Sequence, residues 1–335
     1  MTTEQKVCQL FFVTPESIAS MPTATKVSAR LRATLQRFPV GGLILFADHC
    51  KSESQVRRLT SDLQACASGG VGFFIGTDEE GGGVSRAINK LGLRKAPSPS
   101  DLTDADSAFA AASLIGEQLA ALGFNLDFAP VADVRTDLDD TEINARSFGY
   151  DAAHVAQMTA AFVRGLTDTG VISVLKHFPG HGSAVGNSHT GKAVSTRTAD
   201  QWRACEWLPF QAGVAANAEV VLVSHLTAAV VDHASPACLS RVIVTELLRG
   251  ELGFDGVVIT DGLRMDAISK SYASGEACVL ALEAGVDMLL LPKNFSNAYD
   301  GVIGALENGR LTVERIDESV RRILRLKASH GLLVE

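Results

Sequence analysis

Eight short apolar runs recur along the chain, each followed by a segment long enough to cross over and return. They are CQLFFV (8–13), GLILF (42–46), FFIGTD (73–78), FNLDFAP (124–130), ISVLKHF (172–178), VVLVSH (220–225), GVVITD (256–261) and DMLLLP (287–292). Most hold consecutive rather than alternating apolar residues, the pattern of parallel strands covered on both faces. Segments with helical character lie between them at 52–67, 108–122, 154–167, 239–252, 275–284 and 305–326. Ser240 is placed to cap the fourth of these, and Asn308-Gly309 breaks the last, with a C-terminal helix resuming from Asp317. The fold class expected is α/β, a single (β/α)8 TIM-like barrel whose first strand is the least regular. A doubly wound open sheet is the rival, but it divides into fewer strands and often carries a nucleotide loop. The glycine-rich stretch TDEEGGGVSR (77–86) contains neither GxGxxG nor GxxxxGK[ST]. No Pro/Gly/Ser-rich linker cuts the chain, so a single domain is assigned to 1–335.

Composition narrows the class of partner. Hydrophobic residues make up 46% of the chain, ample for a large core, and the formal charge is −8 without any Lys/Arg-rich block. An extended nucleic-acid interface is therefore not expected. No apolar run approaches the length of a membrane helix, and the N-terminus MTTEQKVCQLFFV lacks a basic region ahead of an apolar core. A cytoplasmic protein is the simple expectation; an exported one stripped of its signal reads the same. The six cysteines are scattered without a CxxC pair and read as small buried hydrophobes rather than zinc ligands.

Several strand runs end in polar side chains: Asp78, the pair Lys176 and His177, His225, and Asp261. In a barrel these ends converge on one mouth. Asp261, at the end of an apolar strand, can attack an electrophilic carbon, bind a metal or act as a base; the bland alternative is a helix cap. Asp266 lies past the first turn and reads as solvated or capping. The densest chemical stretch is KHFPGHGSAVGNSHTGK (176–192), an irregular glycine-rich loop. Within it His189 is the best placed to deliver a proton, His177 to orient a substrate, and His181 to hold the loop together. Three histidines with Asp261 are chemically adequate for zinc, but Pro179 and Gly180 spoil the helix that the His177/His181 spacing needs. Neither a metal nor another cofactor is expected. Asp78 can accept sugar hydroxyls, and Arg146 in NARSFG (144–149) offers a planar array of donors. Glu79 and Glu80 read as a solvated acidic pair.

Together these motifs resemble the family 3 glycoside hydrolases of the β-N-acetylglucosaminidase type. The resemblance runs through EQKVCQLFFV, GGLILF, TDEEGG, LDFAPVADV, NARSFG, KHFPGHG, NSH and GFDGVVITDGLRMDAI. It implies a barrel-like catalytic domain and a retaining mechanism, with Asp261 as nucleophile and His189 as acid/base. It further implies sugar-binding roles for Asp78, Arg146, Lys176 and His177. The activity implied is release of terminal β-linked N-acetylglucosamine, from a glycoside or a muropeptide. Phosphorolysis and a catalytically weak carbohydrate-binding protein are the alternatives. The chain departs from the family pattern GHGDTxxDSH, reading GHGSAVGNSH. Asn187 stands where the resemblance implies an aspartate that supports His189, so it can orient the imidazole but brings no negative charge. Gly83 and Gly262 likewise replace an arginine and a second acidic residue.

Overall fold

The computed structural model describes residues 1–136, 143–188 and 191–333. All eight expected strands form, all but the fifth with shorter bounds: β1 Phe11–Val13, β2 Gly42–Ile44, β3 Phe74–Thr77, β4 Leu126–Asp127, β5 Ile172–Phe178, β6 Val220–Val223, β7 Val257–Thr260 and β8 Leu289–Leu290. Neighbours in sequence are neighbours in the sheet, and every pairing is parallel. β8 returns to β1, and an Ile259–Met288 bridge joins the β7 and β8 segments. The result is a (β/α)8 barrel ringed by helices. Each of these strands is buried along its whole length, which explains why their sequences run apolar without alternation.

The first run is less regular, as expected, and for an identifiable reason. Thr2 and Gln5 form a capping box that starts a helix, Thr3–Gln9, so Cys8 and Gln9 are helical and only Phe11–Val13 extends. Ser240 does cap its segment, its hydroxyl accepting the Ile243 amide at 3.2 Å. Residues Val242–Glu251 then wind wider than an α-helix, with i→i+5 bonds such as Leu252 N–H to the Leu247 carbonyl at 2.9 Å. The break at Asn308-Gly309 separates helices Phe295–Glu307 and Val313–Ser329. The second begins before Asp317 because Thr312 caps it, accepting from the Arg315 amide.

Close helix packing sets the outer ring. Helices Ala105–Ala121 and Ala152–Thr167 meet at Gly165, where a Cβ would lie 2.6 Å from the Phe109 carbonyl oxygen. The C-terminal helix Val313–Ser329 is fastened under the barrel, at the N-terminal ends of the strands. Buried Asp287, just before β8, takes the Ser319 hydroxyl at 2.6 Å and the Val258 amide at 3.0 Å, and pairs with Arg249 and Arg322. Nearby, fully buried Lys327 donates to Gln9 Oε1 at 2.7 Å and lies over the Phe74 ring. Above the barrel, Val194–Ser195, Thr227–Ala228 and Asp232–Pro236 form a small separate sheet.

None of the six cysteines forms a disulfide, and all but Cys205 are buried. Among the described residues, no helix is long and apolar enough to cross a membrane.

Candidate active site

The expected strand ends converge on one cavity, except His225, which is buried and does not line it. A cavity of about 590 Å³ opens at the C-terminal end of the barrel, and Asp78, Arg146, Lys176, His177, Asn187 and Asp261 all line it. Asp78 follows β3, Lys176 and His177 lie within β5, and Asp261 follows β7. Lys176 and His177 are adjacent in sequence and both face the cavity; the peptide bond between them is cis. Arg146 closes a short 3-10 turn, Asn144–Arg146, that follows residues outside the described set. His189 also lies outside the described residues.

The wall opposite Asp261 in the chain order of the barrel is an ion network. Lys176 Nζ is 3.1 Å from Asp78 Oδ1 and 2.6 Å from Glu80 Oε1. Arg146 grips the same Glu80 carboxylate with two parallel bonds, Nε to Oε2 and Nη2 to Oε1, each 2.8 Å. Glu80 is thus not solvated: it is 2% exposed, and Glu79 is 1% exposed. The acidic pair sits at the start of a two-stranded ribbon folded over the β3 end, so both side chains turn inward. Glu79 accepts the Ala87 and Ile88 amides, which makes it a cap for helix Ala87–Leu91. Burial pushes the Glu80 carboxyl up, but Lys176 and Arg146 outweigh it and hold the group below the ordinary carboxylate range. Lys176 is pushed down by burial and more strongly up by Glu80 and Asp78, so it stays a cation.

His177 is oriented by a residue the sequence reading did not single out. Buried Asp133 contacts His177 Nδ1 at 2.6 Å and accepts the His177 amide at 3.2 Å. Its other oxygen accepts the His181 amide at 2.6 Å. His177 Nε2 faces Arg146 Nη2 at 3.3 Å. A guanidinium only donates, so the arrangement fits Nδ1–H donating to Asp133 and Nε2 accepting from Arg146. His181 therefore holds the loop through its backbone, anchored on the same carboxylate that aims His177.

Asp261 is fixed on the far side. Its amide continues the strand pairing, donating to the Val223 carbonyl at 2.9 Å, and its Oδ1 accepts the Gly262 amide at 2.6 Å. Burial raises its carboxyl, yet the imidazoles of His225 and His177, the Gly262 amide and Lys176 pull it below the ordinary range. His225 works from behind: it is buried, with Nε2 2.9 Å from the Gly262 carbonyl oxygen and Nδ1 3.2 Å from Cys238 Sγ. Asp266 lies on helix Asp266–Ser269 and pairs with Lys270 at 2.8 Å. Arg86, Arg264, Met265 and Phe46 also line the cavity, with the Arg264 guanidinium over the Phe46 ring at 5.5 Å. Among the described residues, no group of three His, Cys, Asp or Glu side chains is placed to hold a metal ion.

Two of the missed residues left a trace in the sequence. Asp133 is the one acid in the otherwise apolar run FAPVADV (128–134), where a buried charge needs a partner. Glu80 precedes three glycines two residues after a strand-end aspartate, a turn that can fold an acid back over the mouth. Arg264 and Phe46 carried no comparable signal.

Comparison with known proteins agrees with this geometry. Residues 2–326 match the family model "Glycosyl hydrolase family 3 N terminal domain". A β-hexosaminidase of Stenotrophomonas maltophilia (strain R551-3) is 37% identical over 292 residues, covering 84% of this chain and 85% of the relative. β-Hexosaminidase A of Pseudoalteromonas piscicida is 32% identical over 338 residues, covering 90% of this chain; the chain spans only 56% of that longer relative. The solved structure of a glycoside hydrolase family 3 β-N-acetylglucosaminidase from Paenibacillus sp. str. FPU-7 superposes with a TM-score of 0.93 at 36% identity, over 99% of this chain and 63% of that one. A family match spanning nearly the whole chain, on a barrel whose strand ends build one charged cavity, places this protein in glycosyl hydrolase family 3.

Proposed function

We propose that the chain is a retaining exo-β-N-acetylglucosaminidase, acting on terminal β-linked N-acetylglucosamine, including that of peptidoglycan fragments. The observation that carries this reading is the Asp261 carboxylate, kept ionised on a rigid strand end and facing a cavity lined by the Asp78–Lys176–Glu80–Arg146 network. A carboxylate in that state is a nucleophile without further activation. The opposing network offers fixed donors and acceptors to sugar hydroxyls, and its ions neutralise one another before any substrate arrives. The relatives described as β-hexosaminidases and a β-N-acetylglucosaminidase support the N-acetylated sugar.

In the first step an Asp261 oxygen attacks the anomeric carbon as the bond to the leaving oxygen breaks. That oxygen takes a proton from His189. In the second step water attacks the same carbon, gives its proton to His189, and frees the Asp261 carboxylate. Using a histidine in place of the second carboxylate departs from the usual pair. Asn187 lines the cavity two residues before His189 and supplies an amide there rather than a charge. That uncharged amide, sharing the cavity with Arg264, is the observation favouring a second reading in which phosphate replaces water and N-acetylglucosamine 1-phosphate leaves.

Intact-mass detection of a covalent adduct with a slow fluorinated N-acetylglucosaminide, mapped by peptide analysis, tests the reaction class. An adduct on Asp261 is expected. Turnover of an activated β-N-acetylglucosaminide without any adduct on Asp261 rejects the assigned nucleophile, and absence of turnover rejects the substrate class. Repeating turnover in phosphate buffer and assaying sugar 1-phosphate separates hydrolysis from phosphorolysis.

A further inference from the structure

One buried carboxylate touches both ends of the segment that brings Asn187 to the cavity. Glu206 stands at the N-cap of helix Trp207–Ala215 and is fully buried. At the start of the segment Gly180 lies directly on it: a Cβ at Gly180 would fall 2.6 Å from Glu206 Cβ and 2.7 Å from its Cγ. At the far end Arg197 Nε is 3.0 Å from Glu206 Oε1. Between these points the segment closes on itself. Val185 and Val194 exchange backbone hydrogen bonds of 2.9 Å, and the Ser183 and Ser195 hydroxyls are 3.1 Å apart. Residues 183–188 and 191–195 are therefore paired at a base that rests on Glu206, and Asn187, beyond the Val185–Val194 bridge, lines the cavity.

The ion network in the cavity wall does not depend on these paired stretches. Asp78, Lys176 and His177 belong to β3 and β5, and they are held by Glu80, Arg146 and Asp133. Glu206 contacts none of those groups in the ion pairs described, and its charged partner is Arg197. Burial pushes its carboxyl above the ordinary carboxylate range, and Arg197 offsets only part of that rise. A carboxylate this dry is costly without its cation, so the pair locks the two ends of the segment to one point.

We propose that Glu206, through its ion pair with Arg197, is a positioning residue that sets how the paired stretches 183–188 and 191–195 present Asn187 to the cavity during proton transfer. The inference rests on the reading that this segment carries the acid/base group. It assigns Glu206 no contact with substrate. Its loss should weaken proton delivery to the leaving oxygen and leave sugar binding in place.

The test compares two substrates that differ only in their need for a proton. A dinitrophenyl β-N-acetylglucosaminide leaves without acid assistance, whereas the plain phenyl glycoside requires it. Acid catalysis contributes about 10²–10⁴-fold, so a mispositioned acid should cost the phenyl glycoside roughly tenfold or more in kcat/KM. Glu206→Gln and Arg197→Gln are both expected to show that loss, with less than about a twofold change in kcat/KM on the dinitrophenyl glycoside. Arg197→Lys, which keeps the charge, should recover most of the phenyl activity. Arg197 is partly exposed, so its variants keep the test available if Glu206→Gln folds poorly. Equal losses on both substrates, or none on either, overturn the inference while wild-type turnover leaves the family reaction standing. A wild type that cleaves neither substrate sinks the proposed function and this inference together.

Discussion

Removing the charge of Glu80 is the sharpest perturbation of the ion network in the cavity wall. Glu80→Gln keeps the side-chain shape but strips the anion from between Lys176, 2.6 Å away, and Arg146, bonded twice at 2.8 Å. Lys176 retains Asp78 at 3.1 Å, while Arg146 loses its bidentate partner. Breaking a buried pair from one side costs about 3–5 kcal/mol because the remaining charge stays dry and uncompensated. Unfolding entropy near 2.1 cal/mol/K per residue gives about 0.7 kcal/mol/K for 335 residues. The variant should therefore melt about 4–7 °C below wild type. The sign of the pH dependence follows from the direction of the shift. The folded carboxyl lies below its ordinary value of 4.5 because the two cations outweigh burial. Its contribution is thus complete above pH 4.5 and is lost as pH falls through the folded value. The melting gap between wild type and variant, followed by circular dichroism, should hold steady from neutral pH down to about 5 and then shrink. The double variant Glu80→Gln/Arg146→Gln should recover part of the loss, since the orphaned guanidinium is gone. A drop below about 1 °C, or strict additivity in the double variant, refutes the claim that the network is held by mutual neutralisation.

Other outcomes follow from single contacts. Asp261→Asn should leave the melting temperature within a few degrees and slow glycoside cleavage by about 10⁴-fold or more, because a neutral amide replaces the nucleophilic carboxylate; near-normal turnover rejects its role. Asp133→Asn removes the carboxylate that accepts from His177 Nδ1, a charge-assisted bond of about 1.5–3 kcal/mol. Steady-state kinetics should show kcat/KM falling about 10–150-fold, and an unchanged value means His177 needs no such aim. Lys327 is pushed down from 10.5 to about 7 by burial. The unfolded chain then binds the extra proton between those values, so wild-type stability should climb as pH rises from 7 toward 10. Urea titrations of Lys327→Met should lack that climb and show higher stability than wild type near pH 6; a parallel pH profile rejects the buried-amine account.

Elements whose cause is local could be read from the chain. Each strand shows as an apolar run because both of its faces are covered, and Ser240 and the Asn308-Gly309 break act within a few residues of themselves. The sites that joined the cavity from strand ends, Asp78, Lys176, His177 and Asp261, were legible for the same reason. Glu80 was not, because its partners stand 66 and 96 residues away and only folding reveals that an acidic pair is covered. Asp133 needed its contact with His177, 44 residues on, to acquire a meaning. The first strand was over-extended because the apolar residues of a buried helix turn and of a buried strand look alike over so short a span.

The fastening beneath the barrel has a practical consequence. Asp287 and Lys327 tie the C-terminal helix to the face opposite the cavity, and the Leu332 carbonyl accepts the Gly72 amide on that same side, just ahead of β3. Helix Thr3–Gln9 meets it there through the Lys6–Asp317 ion pair. A protein tethered to a resin or sensor through either of these segments presents its cavity outward.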